Sequence, residues 1–172
     1  FGQAMGLINS GVDVSLYTNN ETINPKINKL KFFSFYNDVF SSSSRIINGL
    51  QWIFGSIKSI FHARFSNIPI FHFHIFYINI LVLFNLLLVK LLFGKVVLTI
   101  HDVTSFDDNG NSKLASDLVY KLADLILTHN QFSCDEIVKK SSKLKESINI
   151  IPHGNYIPFI NIQTNKKKSR QY

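Results

Sequence analysis

Five of the six histidines lie within or directly after short apolar segments that have the composition of β-strands. Because the carboxyl ends of parallel strands meet at one edge of a sheet, we expect these imidazoles to share a rim. An imidazole hydrogen-bonds sugar hydroxyls or phosphates and exchanges a proton near neutral pH. The sequence therefore predicts a binding site lined by His72, His74, His101, His129 and His153, with His62 elsewhere on a helix.

The dipeptide His101-Asp102 follows the most apolar predicted strand, residues 95–100. A polar pair at that position would be costly to bury without a purpose, so both residues are predicted to be catalytic. For His72 and His129 a structural role, in which a backbone carbonyl satisfies the ring, fits the sequence as well. Both interpretations stay open for these two histidines.

Several common chemistries lack their sequence motifs. The histidine spacing contains no HxxxH or carboxylate-spaced ligand set, so no metal is expected. There is no glycine-rich dinucleotide fingerprint, no phosphate-binding P-loop and no Gly-x-Ser-x-Gly elbow. The single cysteine, Cys134, excludes an internal disulfide framework and is predicted to be a small filler in a helix. A chain with a single cysteine fits a reduced, cytoplasmic protein.

Apolar periods of 2 and 3.6 alternate along the chain, which predicts an α/β fold with a doubly wound parallel sheet. The outer face of one predicted helix is polar, and its core face carries Ile46, Ile47, Leu50, Phe54, Ile57 and Phe61. A capping box at 133–136 predicts where the last helix begins. Strands are predicted at 12–17, 31–35, 69–76, 95–100, 124–128 and 147–151, and helices at 1–10, 46–61, 77–93, 114–122 and 133–140.

The segment 77–93 is apolar almost all round and ends at Gly94. Two asparagines, a lysine and an adjoining strand on each side oppose a membrane span. We predict a helix buried between the sheet and a neighbouring element. An interfacial helix that docks on a membrane is the alternative, favoured by the aromatic content and the positive charge.

Charge and chain ends bear on partners. Lys and Arg outnumber Asp and Glu by 18 to 11, a formal net charge of +7, which suits an anionic partner such as a phosphorylated ligand or an acidic membrane surface. The lysines at 139–145 lack interleaved aromatics, so no nucleic acid is expected. The chain starts at Phe1 without Met and ends in a lysine-rich run, so we expect a fragment of a longer protein.

Residues 95–103, KVVLTIHDV, resemble the strand and His-Asp signature in the amino-terminal domain of group 1 retaining glycosyltransferases. Further segments resemble the same family in the same order. Residues 7–17 resemble its first helix and second strand, 71–74 the strand before the signature, 123–130 a later strand before a helix, and 150–154 its Pro-x-Gly turn. The resemblance covers about residues 1–156, and residues 157–172 would be an interdomain linker or a truncated basic tail.

The resemblance implies a GT-B architecture, in which two Rossmann-like domains face a cleft. The amino-terminal domain would hold the acceptor, and a carboxy-terminal domain absent from this sequence would hold the nucleotide-sugar donor. Carried over by position, His101 would contact the transferred sugar and Asp102 would shape its loop. His74, His129 and Asn130 would lie on the same rim, and His153 and Gly154 near the interdomain hinge.

The family's first strand and its glycine-rich loop would precede Phe1, so this chain alone is expected to bind donor poorly and to turn over little. The implied function is transfer of a sugar, with retention, from a nucleotide-sugar to a glycan or lipid-linked acceptor at the inner membrane face. No metal or other cofactor is implied. The alternative is a non-catalytic, membrane-associated α/β module that binds a partner through its apolar helix.

Overall fold

A computed structural model of the chain describes residues 1–101, 113–141 and 145–152. Helices and strands alternate along these residues, as the sequence periodicity predicts. The helices are α1 (Gly2–Asn9), α2 (Arg45–Phe65), α3 (Ile80–Leu91), α4 (Lys113–Leu122) and α5 (Gln131–Lys140). The strands are β1 (Ser15–Asn19), β2 (Lys31–Tyr36), β3 (Ile70–Ile75), β4 (Lys95–Ile100), β5 (Leu125–Thr128) and β6 (Ile148–Ile150), with a 3₁₀ turn at Lys145–Ser147.

All described strands pair in parallel, which confirms the α/β class and the parallel pairing. The described strands form two sheets instead of one, β1-β2 and β3-β4-β5-β6. In the larger sheet β3 and β4 run in register, from Ile70 opposite Lys95 to Ile75 opposite Ile100. This layout is compatible with a Rossmann-like arrangement, and it sets the carboxyl ends of β3, β4 and β5 side by side.

The core lies between the larger sheet and helices α3, α4 and α5. Leu86 and Val89 of α3, Leu98 of β4 and Ile126 of β5 are all completely buried. Between α3 and β4, a Cβ at Gly94 would lie 2.6 Å from Val89 Cγ1. Gly94 is therefore required by close packing, while the left-handed residue that ends the helix is Phe93, with φ 56°.

Helix α3 begins at Ile80, later than the predicted start, because the Asn79 side chain accepts a hydrogen bond from Val82 N at 2.9 Å. The predicted burial holds for one face, which carries Leu86 and Val89, whereas Ile80 and Leu91 are exposed. None of the described helices combines the length and the apolar character needed to cross a bilayer.

The predicted core face of α2 is wrong. Ile46 and Phe54 from that stripe are 76% and 69% exposed, and the buried face instead carries Gly55, Ser56, Ser59, Ile60 and Ala63. The reason is the aromatic surface of β2. A Cβ at Gly55 would lie 2.6 Å from Tyr36 Cδ1, so at this point of closest approach the helix has room only for glycine.

Asp124 joins three elements at the amino ends of β4 and β5. Its Oδ2 atom accepts hydrogen bonds from Val96 N at 2.7 Å and from Lys90 Nζ at 2.5 Å, and Lys95 Nζ lies 3.5 Å from Oδ1. Burial alone would raise the pKa of this carboxyl, but the hydrogen bonds and the two lysine charges lower it. The carboxylate thus fixes the end of α3 to the sheet, at the opposite end of the strands from the histidines.

Candidate functional site

Four histidines form a continuous line across the carboxyl ends of three neighbouring strands, and we name this line the imidazole row. His72 and His74 belong to β3, His101 directly follows β4, and His129 directly follows β5. The backbone holds these positions, since His101 N donates to Ile75 O at 3.0 Å and extends the β3-β4 pairing by one residue. The parallel register therefore brings the four imidazoles together.

Three rings of the row are linked by hydrogen bonds between their nitrogens. His74 Nδ1 lies 3.1 Å from His101 Nε2, and His101 Nδ1 lies 3.2 Å from His129 Nε2. His129 Nδ1 then lies 3.0 Å from the carbonyl oxygen of Ile151, just beyond β6. The line of contacts thus runs from β3 to the chain after β6.

When the three rings are neutral, the carbonyl at the end of the row sets the direction of the hydrogen bonds between them. Because Ile151 O only accepts, His129 Nδ1 carries the hydrogen, and the neutral His129 ring accepts at Nε2. His101 must then donate from Nδ1 and accept at Nε2, where His74 Nδ1 donates. All three neutral rings are Nδ1–H tautomers, and His74 Nε2 is left as the acceptor at the head of the row.

This order has the geometry that a proton relay needs, although the low pKa of His74 disfavours a proton at its head. A proton added at His74 Nε2 lets each Nδ1–H hydrogen move to the next ring, which leaves His129 positively charged with both nitrogens protonated. The change reverses the tautomers of His74 and His101 and requires no ring to rotate. Geometry of this kind moves charge between β3 and β5 over two hydrogen bonds.

Electrostatics favour the neutral forms of the two histidines of β3. Desolvation, followed by repulsion from His72, His101, His129 and the amino terminus, lowers the pKa of His74 to about 4. Burial also lowers the pKa of His72. At neutral pH His74 therefore acts as a hydrogen-bonding group that accepts from a hydroxyl, and only weakly as a base.

His72 is held separately from the relay. Gln3 Nε2 of α1 lies 3.5 Å from His72 Nδ1, and because an amide nitrogen only donates, His72 accepts there. Its Nε2–H then donates to Thr99 Oγ1 at 2.7 Å. Both of these His72 partners are side chains, whereas a ring bonded to a backbone carbonyl, the structural role that the sequence left open, is found at His129 with Ile151 O. The His72 ring stacks on His74 at a centroid distance of 4.8 Å.

Sequence analysis missed two residues of the site, Thr99 and Phe76. The Phe76 ring stacks on His101 with centroids 4.5 Å apart and planes 11° apart, although Phe76 itself is exposed. The stacking fixes the plane of the central imidazole of the row. A signal existed, because Phe76 directly follows β3 and belongs to the same aromatic segment as His72 and His74.

Asn130, predicted to bind substrate, uses its side-chain oxygen to cap α5. Its Oδ1 accepts from Ser133 N at 2.8 Å, so the helix begins at Gln131. The predicted capping box is therefore wrong, because Ser133 lies inside the helix and Glu136 pairs with Lys139 at 2.9 Å. Asp102, His153 and Gly154 lie outside the described residues, and their roles stay predictions.

No set of three or more His, Cys, Asp or Glu side chains among the described residues is arranged to hold a metal ion. The imidazoles form a line in which each nitrogen faces its neighbour, not a shell around one point. A separate, open groove of about 260 Å³ lies between β2 and α2 and is lined by Asp38, Gln51, Phe54 and Lys58 among others. It shares no residue with the imidazole row.

Comparison of the chain with protein-family models and with curated proteins gives no match. What the site does must therefore be inferred from its own geometry, together with the motifs in the sequence. Both direct attention to the same residues, because His101 is the central ring of the row and also the histidine of the KVVLTIHDV segment.

Proposed function

We propose that this chain is the acceptor-side, amino-terminal domain of a retaining glycosyltransferase that uses a nucleotide-sugar donor. The observation that carries the proposal is the row of hydrogen-bonded imidazoles along the carboxyl rim of a parallel sheet, with His101 at its centre. Ligands of open α/β sheets bind at this rim. The order of motifs along the sequence supports the same family, and the GT-B architecture is part of the proposal.

Neutral imidazoles suit a sugar because each hydroxyl both donates and accepts a hydrogen bond. In the proposed role His101 lies beside the transferred sugar and orients it through His74, because both His101 nitrogens bond neighbouring rings and His74 Nε2 is the atom that accepts from a sugar hydroxyl. The stacked Phe76 holds the plane of the His101 ring. The transition state of sugar transfer resembles an oxocarbenium ion, which is stabilised by preorganised neighbours that need not move. The diphosphate that departs would be met by the donor-side domain that the family resemblance implies.

The acceptor would be a glycan or a lipid-linked sugar, and the protein would work in the cytoplasm at the inner face of the membrane, in the synthesis of a surface polysaccharide or glycolipid. No metal is assigned to the reaction. In the transfer step a bond forms between the acceptor oxygen and the anomeric carbon, and the bond from that carbon to the diphosphate breaks. The acceptor hydroxyl loses one proton, which leaves to the diphosphate or to solvent.

The test is a transfer assay on the full-length protein with a panel of labelled nucleotide-sugars and of glycan and lipid-phosphate acceptors. We expect transfer with retained anomeric configuration, and His101→Ala should lower kcat by roughly 10²-fold or more. Phe132→Ala, an exposed site on α5, is the control and should transfer at the wild-type rate. Wild-type activity in His101→Ala, or no transfer from any donor, would overturn the proposal.

A second candidate is a non-catalytic, membrane-associated binding module. The observation that favours it is the exposed apolar face of α2, which has no role in the proposed sugar transfer. This candidate predicts that membrane or partner binding persists in His101→Ala and that no nucleotide-sugar is consumed. The assay above separates the two candidates.

A further inference from the structure

Helix α2 exposes a stripe of large apolar side chains. At 100° per residue these side chains fall within an arc of about 100° along the whole helix. Ile57 is half-buried and the others are exposed, Phe65 to 82%. We name this surface the outer stripe, and its members are Ile46, Ile47, Leu50, Phe54, Ile57, Phe61 and Phe65.

The inward face of α2 has the opposite character. Ser56 and Ser59 are buried, and neither hydroxyl has a hydrogen-bond partner among the residues that the structure describes. Buried hydroxyls without partners destabilise the fold, and apolar side chains left in water contribute no stabilising burial. The exposure of so many large apolar side chains is explained if a lipid or protein surface covers the outer stripe.

The charges that α2 itself carries are positive, while Asp38 lines the groove beside Phe54. Helix α2 contains Arg45, Lys58 and Arg64 and no Asp or Glu. Arg45 and Lys58 are exposed at the amino end and at the flank of the stripe, and Lys58 Nζ lies 4.5 Å from the centre of the Phe35 ring. Arg64 instead fixes the end of α3 by donating to Leu92 O at 2.9 Å. Leu91 and Phe93, on either side of Leu92 in the sequence, are exposed.

We propose that the outer stripe docks on an anionic lipid bilayer, with α2 lying in the plane of the interface. The helix is about 31 Å long, and a side-chain ridge of this kind enters about 5–10 Å into the headgroup and acyl boundary. Phe and Leu on the inserted face with Lys and Arg at its borders is the composition of such helices. The chain's net charge of +7 adds long-range attraction to anionic lipid.

A lipid surface fits the stripe better than a protein partner does. Protein interfaces carry about one hydrogen bond per 100–200 Å², and the stripe offers apolar side chains from Ile46 to Phe65 with cations only at its borders. The proposal assigns the docking to α2, whereas sequence analysis offered the segment 77–93 as the alternative. The inference goes beyond the proposed sugar transfer and stands without it.

The experiment is co-sedimentation of the protein with vesicles of phosphatidylcholine alone and of phosphatidylcholine with phosphatidylglycerol. We expect binding to the anionic vesicles and weaker binding in high salt, which screens the charges. Phe54→Glu should weaken binding by about 10-fold to 100-fold, because it removes one buried aromatic side chain from the lipid phase. Phe132→Glu carries the same change in charge on α5 and should bind like the wild type.

Circular dichroism on each variant shows whether it is folded, and Leu50→Glu provides a second substitution in the stripe if Phe54→Glu is not. The proposal is overturned if folded wild-type protein ignores anionic vesicles, or if Phe132→Glu loses as much binding as Phe54→Glu. A wild-type dimer that Phe54→Glu dissociates, without vesicle binding, would instead assign the stripe to a second copy of the chain. No sugar substrate is present, so the result is independent of the transfer assay.

Discussion

The polarity of the imidazole row depends on a backbone atom, the carbonyl oxygen of Ile151. A backbone acceptor stays in place when the side chain of its residue changes, so substitutions at Ile151 leave the direction of the hydrogen bonds intact. The rings themselves are the variable part. Replacing His101 interrupts the relay at its centre, while replacing His74 removes only the acceptor at its head.

We predict that acid destabilises the fold through His74. The pKa of His74 falls from an ordinary value of 6.5 to about 4 in the folded protein. Between these two values the unfolded chain binds more protons than the folded one, so the free energy of unfolding falls as the pH is lowered through this window. Because His74 is exposed and solvent screens its charge, we expect it to change the free energy of unfolding by about 1 kcal/mol or less.

Urea unfolding at about pH 7 and about pH 4.5 measures this effect, with His74→Gln as the comparison. The variant should lose less stability than the wild type on acidification. An equal loss in both proteins would show that His74 does not contribute. His72, whose pKa is also lowered, remains in both proteins and accounts for part of the common loss.

Much of the site could be predicted at the level of single residues, because strand-end histidines follow directly from apolar periodicity. Three parallel strands that end together bring His74, His101 and His129 to one rim whatever their order in the sheet. The hydrogen-bond order could not be predicted, because it depends on the position of Ile151 O. The role of Asn130 was missed because Ser133 and Glu136 offered a competing cap at the wrong place.

At the scale of elements, one carboxylate, that of Asp124, joins α3, β4 and β5. It accepts from the amide of the fully buried Val96, which begins the packing of β4, and from Lys90 at the end of α3. Charged hydrogen bonds of this kind are worth more than neutral ones. The junction holds α3 against the sheet and so supports the strand that carries His101.

We predict that Asp124→Ala lowers the free energy of unfolding by about 1–3 kcal/mol, because it leaves Val96 N–H without its acceptor. Chemical denaturation monitored by circular dichroism measures the change. Glu136→Ala is the matched control, since Glu136 pairs only with the exposed Lys139 one turn along α5 in the described structure. A loss in Glu136→Ala as large as that in Asp124→Ala would contradict the special role of the junction.

Helix α2 marks the limit of periodicity as a guide to elements. A period of 3.6 locates the apolar face but does not say which way that face points. The direction of the apolar face depends on β2, whose Tyr36 ring leaves no room for a side chain at Gly55. Recognising this from sequence would have required knowing that β2 and α2 are packed together.

At the scale of the whole molecule, the two sheets differ in burial. Every residue of β1 is half-buried, and β2 has no buried residue. In β4, by contrast, Val96, Leu98 and Ile100 are buried, and β5 buries three of its four residues. The stable centre of the described structure is therefore the β4-β5 pair with α3 and α4.

We predict that amide hydrogen exchange separates the two sheets. Peptides from β4 and β5 should exchange at least about tenfold more slowly than peptides from β1 and β2, because exchange in a less buried region needs only local opening. The intact chain is labelled for timed intervals and then digested, and mass spectrometry of the peptides measures their exchange. Equal protection of both sheets would mean that they open together as one unit.

The fold class could be predicted from the chain as a whole, and most strand positions were close. β4 matches its predicted limits, and β2, β3 and β5 differ by one residue at one or both ends. The division into two sheets could not be predicted, since apolar patterns give the positions of strands along the chain but not their neighbours. Sheet order depends on how helices of particular lengths cross over, which single-sequence patterns do not encode.

The position of β3 at the end of the four-stranded sheet has a consequence for solubility. Its outer edge has no strand partner among the described residues, and its sequence, IFHFHI, contains no proline and no permanent charge. Uncharged segments of this kind template edge-to-edge aggregation, and charge on the strand discourages it. His72 and His74 supply that charge only in acid, so the neutral state that orders the imidazole row is also the state in which this edge is least protected.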